Sequence, residues 1–249
     1  MPILVALLVL LLLLFLSIPV AATLAILGLS IGSIFSPFPL FKSIGEISWT
    51  ASTDFILLAI PLFVLLGEIL LKAGIAESTY KALDRWLSWL PGGLMHANIG
   101  TSAMFSATSG SSVATAATVT TVALPQARKL GYNESLFAGS IAAGGTLGIL
   151  IPPSINLIVY GFLTNTSIPK LFMAGIVPGI LLSIIFMLCI LILCSIYPVL
   201  GSDRRSASWK DRLISLRDLL PVLFIFVIVI GSIYAGYATP TESAALGVI

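Results

Sequence analysis

Apolar residues run along this chain in blocks parted by short polar interruptions, and the blocks differ in length and in how they are broken. Ile3 to Phe35 is apolar apart from Ser and Thr, and Pro19 divides it into two stretches of spanning or slightly sub-spanning length. The segment therefore crosses a membrane once, bent, or twice. Phe55 to Leu71 predicts a span with Pro61 inside it and Glu68 near its end, stopped by Lys72 and Gly74. An i,i+4 pair between Glu68 and Lys72 is the expected role of that acid. From Ala76 to Leu90 the apolar positions Ala76, Tyr80, Leu83, Leu87 and Leu90 follow the helical repeat, with Lys81, Asp84 and Arg85 on other faces. That pattern predicts a helix lying in the interface, a depth that suits Trp86 and Trp89.

Between Leu94 and Leu124, two moderately apolar arms flank Ser109, Gly110, Ser111 and Ser112. At about 13 to 15 residues, each arm is short for a hydrocarbon core about 30 Å thick, so a re-entrant hairpin is more economical than two crossings. The arms are rich in Ala, Ser, Thr and Gly, which suits close helix packing inside protein. Asn133 to Leu163 then carries GGTLGILIPPS, from Gly144 to Ser154. Two adjacent glycines and two adjacent prolines stand where a spanning helix needs an unbroken hydrogen-bond ladder. Proline removes a donor and clashes with the preceding turn, so the freed backbone groups must face a ligand, a cavity or neighbouring helices. Leu171 to Tyr197 reads as an ordinary long span. Trp209, Leu213, Leu216 and Leu220 are spaced as a second interfacial helix, and Leu220 to Tyr234 spans again before GYATPTES. The fold class is an all-α polytopic membrane protein with a re-entrant hairpin and a discontinuous transmembrane helix.

Composition excludes the alternatives. Of 249 residues 58% are hydrophobic and 9% charged, with mean hydropathy +1.14, more apolar surface than a water-soluble domain could bury. The first 18 residues carry no Lys or Arg before the apolar stretch and no clean small-residue cleavage site, so a retained membrane segment is expected. A net charge of +2 from 12 basic and 10 acidic residues gives no footprint for nucleic acid. Cys189 and Cys194 are five apart on one helix, on different faces, which excludes a disulfide or a metal pair.

The placement of the charges tests the hairpin. If Leu94 to Leu124 dips in and returns, ten of the twelve Lys and Arg residues share one side, Arg204 and Arg205 among them, leaving only Lys42 and Lys170 opposite. If the segment crosses once, the better orientation is eight against four. Positive charge concentrates on the cytoplasmic side, so the hairpin opens toward the cytoplasm.

Two places carry candidate chemistry. At the hairpin tip, Ser109 to Ser112 offer hydroxyls and the start of the returning helix, whose amides and dipole favour an anion or hydroxyl-bearing ligand. In the broken helix, Gly144, Gly145 and Thr146 are expected to free carbonyls, and Ser154, after Pro152 and Pro153, to cap a second half-helix. Carbonyls and hydroxyls make a hard-oxygen site suited to Na⁺. The plainer alternative is a pair of kinks relieved by neighbouring helices. No Lys or Arg sits in mid-span, so a substrate carboxylate would rely on helix N-termini, hydroxyls and a co-bound cation. Glu242 follows Thr239 and Pro240 at a helix start, where an acid is favourable. His96, the only histidine, stands 13 residues from Ser109, about 20 Å along a helix, too far for a serine–histidine hydrolase. No zinc motif, phosphate loop or dinucleotide fingerprint is present, so no enzyme activity is expected.

Taken in order, PGG after an interfacial helix, the serine-rich hairpin, ALPQARKLGY, GGTLGILIPPS, SIPKLFMAGIVPGILL and GYATPTESAALG resemble the large membrane subunit of TRAP transporters, the DctM-like family, essentially end to end. The resemblance implies a Na⁺-coupled importer of organic acids such as C4-dicarboxylates or sialic acid, multi-pass in a bacterial inner membrane. A small four-helix membrane subunit and a periplasmic substrate-binding protein would be its partners. It also implies an elevator built from inverted repeats. Residues 1–93 would be scaffold-like with an interfacial helix, 94–163 the transport-domain element, and 164–249 further spans, a basic loop and the start of a second repeat. Carried over to this chain, Ser109, Gly110, Ser111 and Ser112 with Gly144, Gly145 and Thr146 hold part of the ion and substrate cavity, and Pro152, Pro153 and Ser154 shape its far wall. Na⁺ would be held through Ser109, Ser111, Gly144, Gly145 and Thr146. Family members are longer, and TPTE lies near the middle of their chains, so a fragment or a truncated form is expected here. The rival expectation is a non-transporting membrane scaffold that only binds the small subunit or the delivery protein.

Overall fold

A computed structural model describes residues 2–37, 40–201 and 207–249. The chain is an all-α membrane protein, and no strand is found among the described residues. It forms two compact units, one reaching Asp54 and the other Phe55–Ile249.

In the first unit, α1 (Pro2–Phe15) and α2 (Val20–Phe35) pack on each other, followed by α3 (Ile44–Ser52). The break between α1 and α2 falls where Pro19 predicts it. Ser17 adopts φ +56 and Pro19 takes the N-cap position of α2. At 14 and 16 residues these two helices are short for a crossing.

The second unit contains α4 (Ala59–Lys72), α5 (Ile75–Leu87), α6 (Leu94–Ser109), α7 (Ser112–Lys129), α8 (Glu134–Thr146), α9 (Ile155–Thr164), α10 (Ile168–Ile196), α11 (Trp209–Tyr234) and α12 (Pro240–Val248). Two of these, α10 with 29 residues and α11 with 26, are long and apolar enough to cross a membrane unaided. Their surfaces are those of lipid-facing helices, with Val177 72% and Phe224 66% exposed.

The expected span from Phe55 is shorter than its hydropathy suggests. Residues 55–58 wind as i,i+3 turns, and α4 begins only at Ala59. Pro61 therefore lies in the first turn, where its missing donor costs nothing, rather than inside the helix. The 14 residues of α4 cover about 21 Å. Gly74, at φ +73, ends it and turns the chain 67° into α5. Glu68 and Lys72 do not pair. Ion pairs do form between Lys81 and Glu77 at 2.6 Å, Arg85 and Asp218 at 3.8 Å, and Arg128 and Glu134 at 3.5 Å.

The amphipathic helix after Gly74 is present as α5, with Ala76, Thr79, Tyr80 and Ala82 buried. The separate interfacial helix expected from Trp209 to Leu220 is not. Trp209–Tyr234 is one helix that runs through Pro221, and the polar half is its first three turns. Contacts with α5 hold that half in place: Arg85 pairs with Asp218, and Trp86 Nε1 donates to Arg212 O at 3.1 Å. Arg204 and Arg205, counted in the charge asymmetry, lie outside the described residues.

Two cores meet on α6. One gathers Met95, Ile99, Val119, Phe137, Leu147 and Ile190 around the hairpin base, α8 and α10. The other gathers Phe63, Leu66, Phe105, Ile158, Phe172 and Val229 around α4, α9 and α11. Residues 94–102 of α6 are buried without interruption, so this arm is an axis of the fold rather than a surface helix. α12 packs on α4 and α11, and Thr241 Oγ1 donates to Phe55 O at 3.0 Å.

Candidate functional site

The hairpin predicted from arm length is formed by α6 and α7, packed side by side and joined at Gly110 and Ser111. Its open end is fastened at the loop after α7, where the Leu94 amide donates to the Tyr132 hydroxyl at 3.0 Å. The entry turn needs glycine: Gly93 has φ +37, and a Cβ there would lie 2.6 Å from the Tyr132 hydroxyl. The returning arm runs past Leu124 to Lys129, because Pro125 is accommodated in its last turns.

At the tip, Gly110 takes the left-handed conformation, φ +61, which ends α6. Ser111 caps α7 and accepts from the Ala114 amide at 3.3 Å. One of the amides at the start of the returning arm is thus taken by the chain itself. Ser109, 1% exposed, bonds across the hairpin to Thr115 Oγ1 at 3.0 Å, and Ser106 Oγ reaches the same oxygen at 3.5 Å. Thr115 is a polar residue of the tip that the sequence reading missed, one turn beyond the serines that signalled the turn.

The helix break falls later than expected. Glycines weaken a helix less when they are packed, and α8 continues through Gly144, Gly145 and Thr146 into a 3₁₀ turn, Leu147–Ile149. The Leu147 amide donates to both Gly144 O and Gly145 O, so these carbonyls are not freed. The irregular stretch is Leu150 to Ser154, and Pro152–Pro153 is a cis peptide. Ser154 sits at the N-cap position of α9 but makes no cap bond; its hydroxyl donates to Ile149 O at 2.8 Å, tying the two sides of the break together.

Tip and break meet. The Ile155 amide donates to Gly110 O at 3.2 Å, so the first turn of α9 is bonded to the turn of the hairpin. A Cβ on Gly110 would lie 2.8 Å from Pro153 O, one on Gly145 would lie 2.9 Å from Ala116 Cβ, and one on Gly148 would lie 2.9 Å from the Ser112 amide. These three glycines permit backbone to lie on backbone where the two interrupted helices cross. Gly148 was not among the sequence candidates, and only tertiary contact reveals it.

Ser109, Gly110, Ser111, Ser112, Gly145, Pro153 and Ser154 are therefore brought together. Gly144 faces the other way: its Cβ would lie 2.6 Å from Ser102 Oγ, on the α6–α8 seam where Asn98 Nδ2 donates to Ser140 Oγ at 2.8 Å. Thr146 is exposed and donates to Ala143 O at 2.7 Å. Pro152 borders an apolar cavity of about 210 Å³ shared with Ala103, Ala107, Ile176 and Phe226.

An acidic residue of α4 lies beside the tip. Gly67 of α4 lies against Ser109, where a Cβ would be 2.9 Å from Ser109 Cβ, and Glu68 lines a cavity of about 50 Å³ with Ser109, Ser111 and Thr118. Among the described residues no three His, Cys, Asp or Glu side chains gather as a metal site. The oxygens that the tip offers are hydroxyls and backbone carbonyls such as Gly110 O and Pro153 O, with Glu68 beside them, hard oxygens of the kind alkali cations use.

The sequence matches the family described as the DctM component of the tripartite ATP-independent periplasmic transporter over residues 7–249. The chain belongs to the DctM family of TRAP transporter large permeases. It is 38% identical over 216 residues to the C4-dicarboxylate TRAP transporter large permease protein DctM of Pseudomonas aeruginosa, covering 87% of this chain and 50% of that protein. To the sialic acid TRAP transporter large permease protein SiaM of Vibrio cholerae it is 36% identical over 193 residues, 78% of this chain and 45% of that one. The ectoine TRAP transporter large permease protein TeaC of Halomonas elongata is 35% identical over 195 residues, again 78% and 45%. The chain thus spans about half the length of the curated relatives it matches. The DctM family consists of transporter permeases and is not enzymatic. His96 agrees with a structural role, being buried with Nε2 2.8 Å from Pro91 O.

Proposed function

We propose that this chain supplies the first half of the large membrane subunit of a Na⁺-coupled, binding-protein-dependent importer, multi-pass in a bacterial inner membrane. Its cargo would be an organic acid such as a C4-dicarboxylate or sialic acid. Ser109–Ser112 and the Leu150–Ser154 break would form one wall of the ion and substrate cavity, within a transport element of residues 94–163. A small four-helix membrane subunit and a periplasmic substrate-binding protein would complete the system, and a second inverted repeat would supply the opposite wall.

The observation that carries this reading is the bond between Gly110 and Ile155. Two interrupted helices meeting end to end deep in an apolar protein collect hydroxyls, carbonyls and helix N-termini at one point, which is the arrangement secondary transporters use to hold ions and anions together. The start of α7 favours the anion, the carbonyl and hydroxyl oxygens favour a cation, and each reduces the cost of holding the other away from water. Two of these relatives are named for organic acids, C4-dicarboxylates and sialic acid, which supports an organic acid as the class.

The test is uptake by the assembled system containing the full-length subunit, with Na⁺ replaced by choline. Coupling predicts loss of uptake, recovered by Na⁺ alone. Uptake that persists unchanged in choline would refute the coupling.

A further inference from the structure

α10 and α11 each pack on α6 but make at most slight contact with each other. A cavity of about 210 Å³ lies between them, with α6 as its floor. Ala103 and Ala107, one turn apart on α6, keep that floor low, and Ile151 and Pro152 of the break close one end. Every lining side chain is apolar.

The cavity opens sideways. Ile180 of α10 and Leu223 of α11 line it and are 54% and 46% exposed, and their neighbours Leu181 and Phe224 belong to the lipid-facing surface of the same helices. Its mouth is therefore continuous with the surface that α10 and α11 present to the bilayer. Depth follows from the charges. Beyond Asp218, α11 carries no charged residue, and Val222 to Phe226 lie about 6–12 Å further along its axis. α10 enters from the opposite face, and Ile176 to Ile180 lie about 9–15 Å past Lys170. In a hydrocarbon core about 30 Å thick, both stretches fall toward the middle, below the reach of headgroups.

The chemistry of the walls selects the occupant. Water finds no polar partner there. An empty cavity forfeits the dispersion contacts of its walls, and apolar cavities of about 150 Å³ already take up small hydrocarbons. At this depth the hydrocarbon at hand is the lipid chain itself.

We propose that the cavity is a binding site for the methyl end of a phospholipid acyl chain, which enters from the bilayer between Ile180 and Leu223 and rests on Ala103 and Ala107. The chain would touch α6 and the break on one side and the two long spans on the other. Hydrocarbon there would cover Ile151 and Pro152 and keep water from this flank of the break.

The test is photolabelling of the full-length subunit in phospholipid vesicles, followed by digestion and mass spectrometry. Two phosphatidylcholine probes are compared, one with a diazirine near the methyl end of an acyl chain and one with it near the carbonyl. Label on Val177 and Phe224, which face lipid directly, is the internal reference. The methyl-end probe should label Met104 and Ile151, and the carbonyl-end probe should label them several-fold less. Ala107→Leu fills the cavity from its floor. In that variant, label at Met104 and Ile151 should fall several-fold while Val177 and Phe224 are labelled as before. Absence of label at Met104 and Ile151 from the methyl-end probe overturns the proposal and leaves the cavity to another protein segment. Equal label from the two probes overturns it as well, a comparison that needs no variant, and so does undiminished label in Ala107→Leu.

Discussion

The amide of Ile155 and the carbonyl of Gly110 are hydrogen-bonded at 3.2 Å across 45 residues of sequence, joining the first turn of one half-helix to the turn of a hairpin. Neither group has a partner within its own helix, since one lies at the start of α9 and the other just past the end of α6. The bond therefore satisfies two helix ends at once, in a place where lipid offers no alternative.

Glycine at the tip can be tested against glycine elsewhere. Gly110 and Gly131 have similar left-handed conformations, φ +61 and +69, so alanine at either costs about 1–2 kcal/mol in backbone strain. Only at Gly110 does the new methyl also meet backbone, at 2.8 Å from Pro153 O, whereas Gly131 has nothing within 4 Å. Gly110→Ala should lower the thermal midpoint of the purified chain by clearly more than Gly131→Ala. Equal shifts would mean that the tip does not rest on the break.

Glu68 is expected to act on the cation rather than on stability. Glu68 makes no pair with Lys72, and the residue lines the small cavity beside Ser109, Ser111 and Thr118. Glu68→Gln keeps the shape and removes the charge. In the full-length transporter it should raise the Na⁺ concentration for half-maximal uptake several-fold while leaving uptake at saturating Na⁺ largely intact. An unchanged Na⁺ dependence would return Glu68 to the role of a solvated side chain.

The hairpin and the interrupted helix were legible in the sequence because the arms flanking Ser109–Ser112 are short for a crossing and the adjacent prolines remove donors from the second helix. The exact break was not, because Gly144 and Gly145 act through close packing against Ser102 and Ala116, and packed glycines leave α8 intact to Thr146. The same limit hid the continuity of α11, which depends on Arg85 and Trp86 of another helix. It also hid the shortness of α4, where Pro61 marks a first turn rather than a kink. Glu68 was assigned to Lys72 by sequence spacing; only the position of the hairpin beside α4 gives it a different neighbourhood.

The start of α12 should respond to acid. Thr239 and Glu242 form a reciprocal cap: the Glu242 amide donates to Thr239 Oγ1 at 3.3 Å, and the Thr239 amide and hydroxyl each donate to Glu242 Oε2 at 2.8 Å. The backbone bond first, and the side-chain bond after it, hold the Glu242 pKa below its ordinary value. A carboxylate whose folded pKa is depressed stabilises the fold above its unfolded pKa, about 4.3, and that contribution disappears as pH falls through the lower folded value. Hydrogen exchange at the Glu242 and Ser243 amides, corrected for intrinsic rate, should therefore be slow near neutral pH and accelerate in that acid window. Thr239→Ala removes the side-chain half of the cap. It should speed exchange already at neutral pH and move the transition upward, toward the ordinary glutamate range. Protection in this variant indistinguishable from wild type at every pH would show that the cap does not hold the helix start.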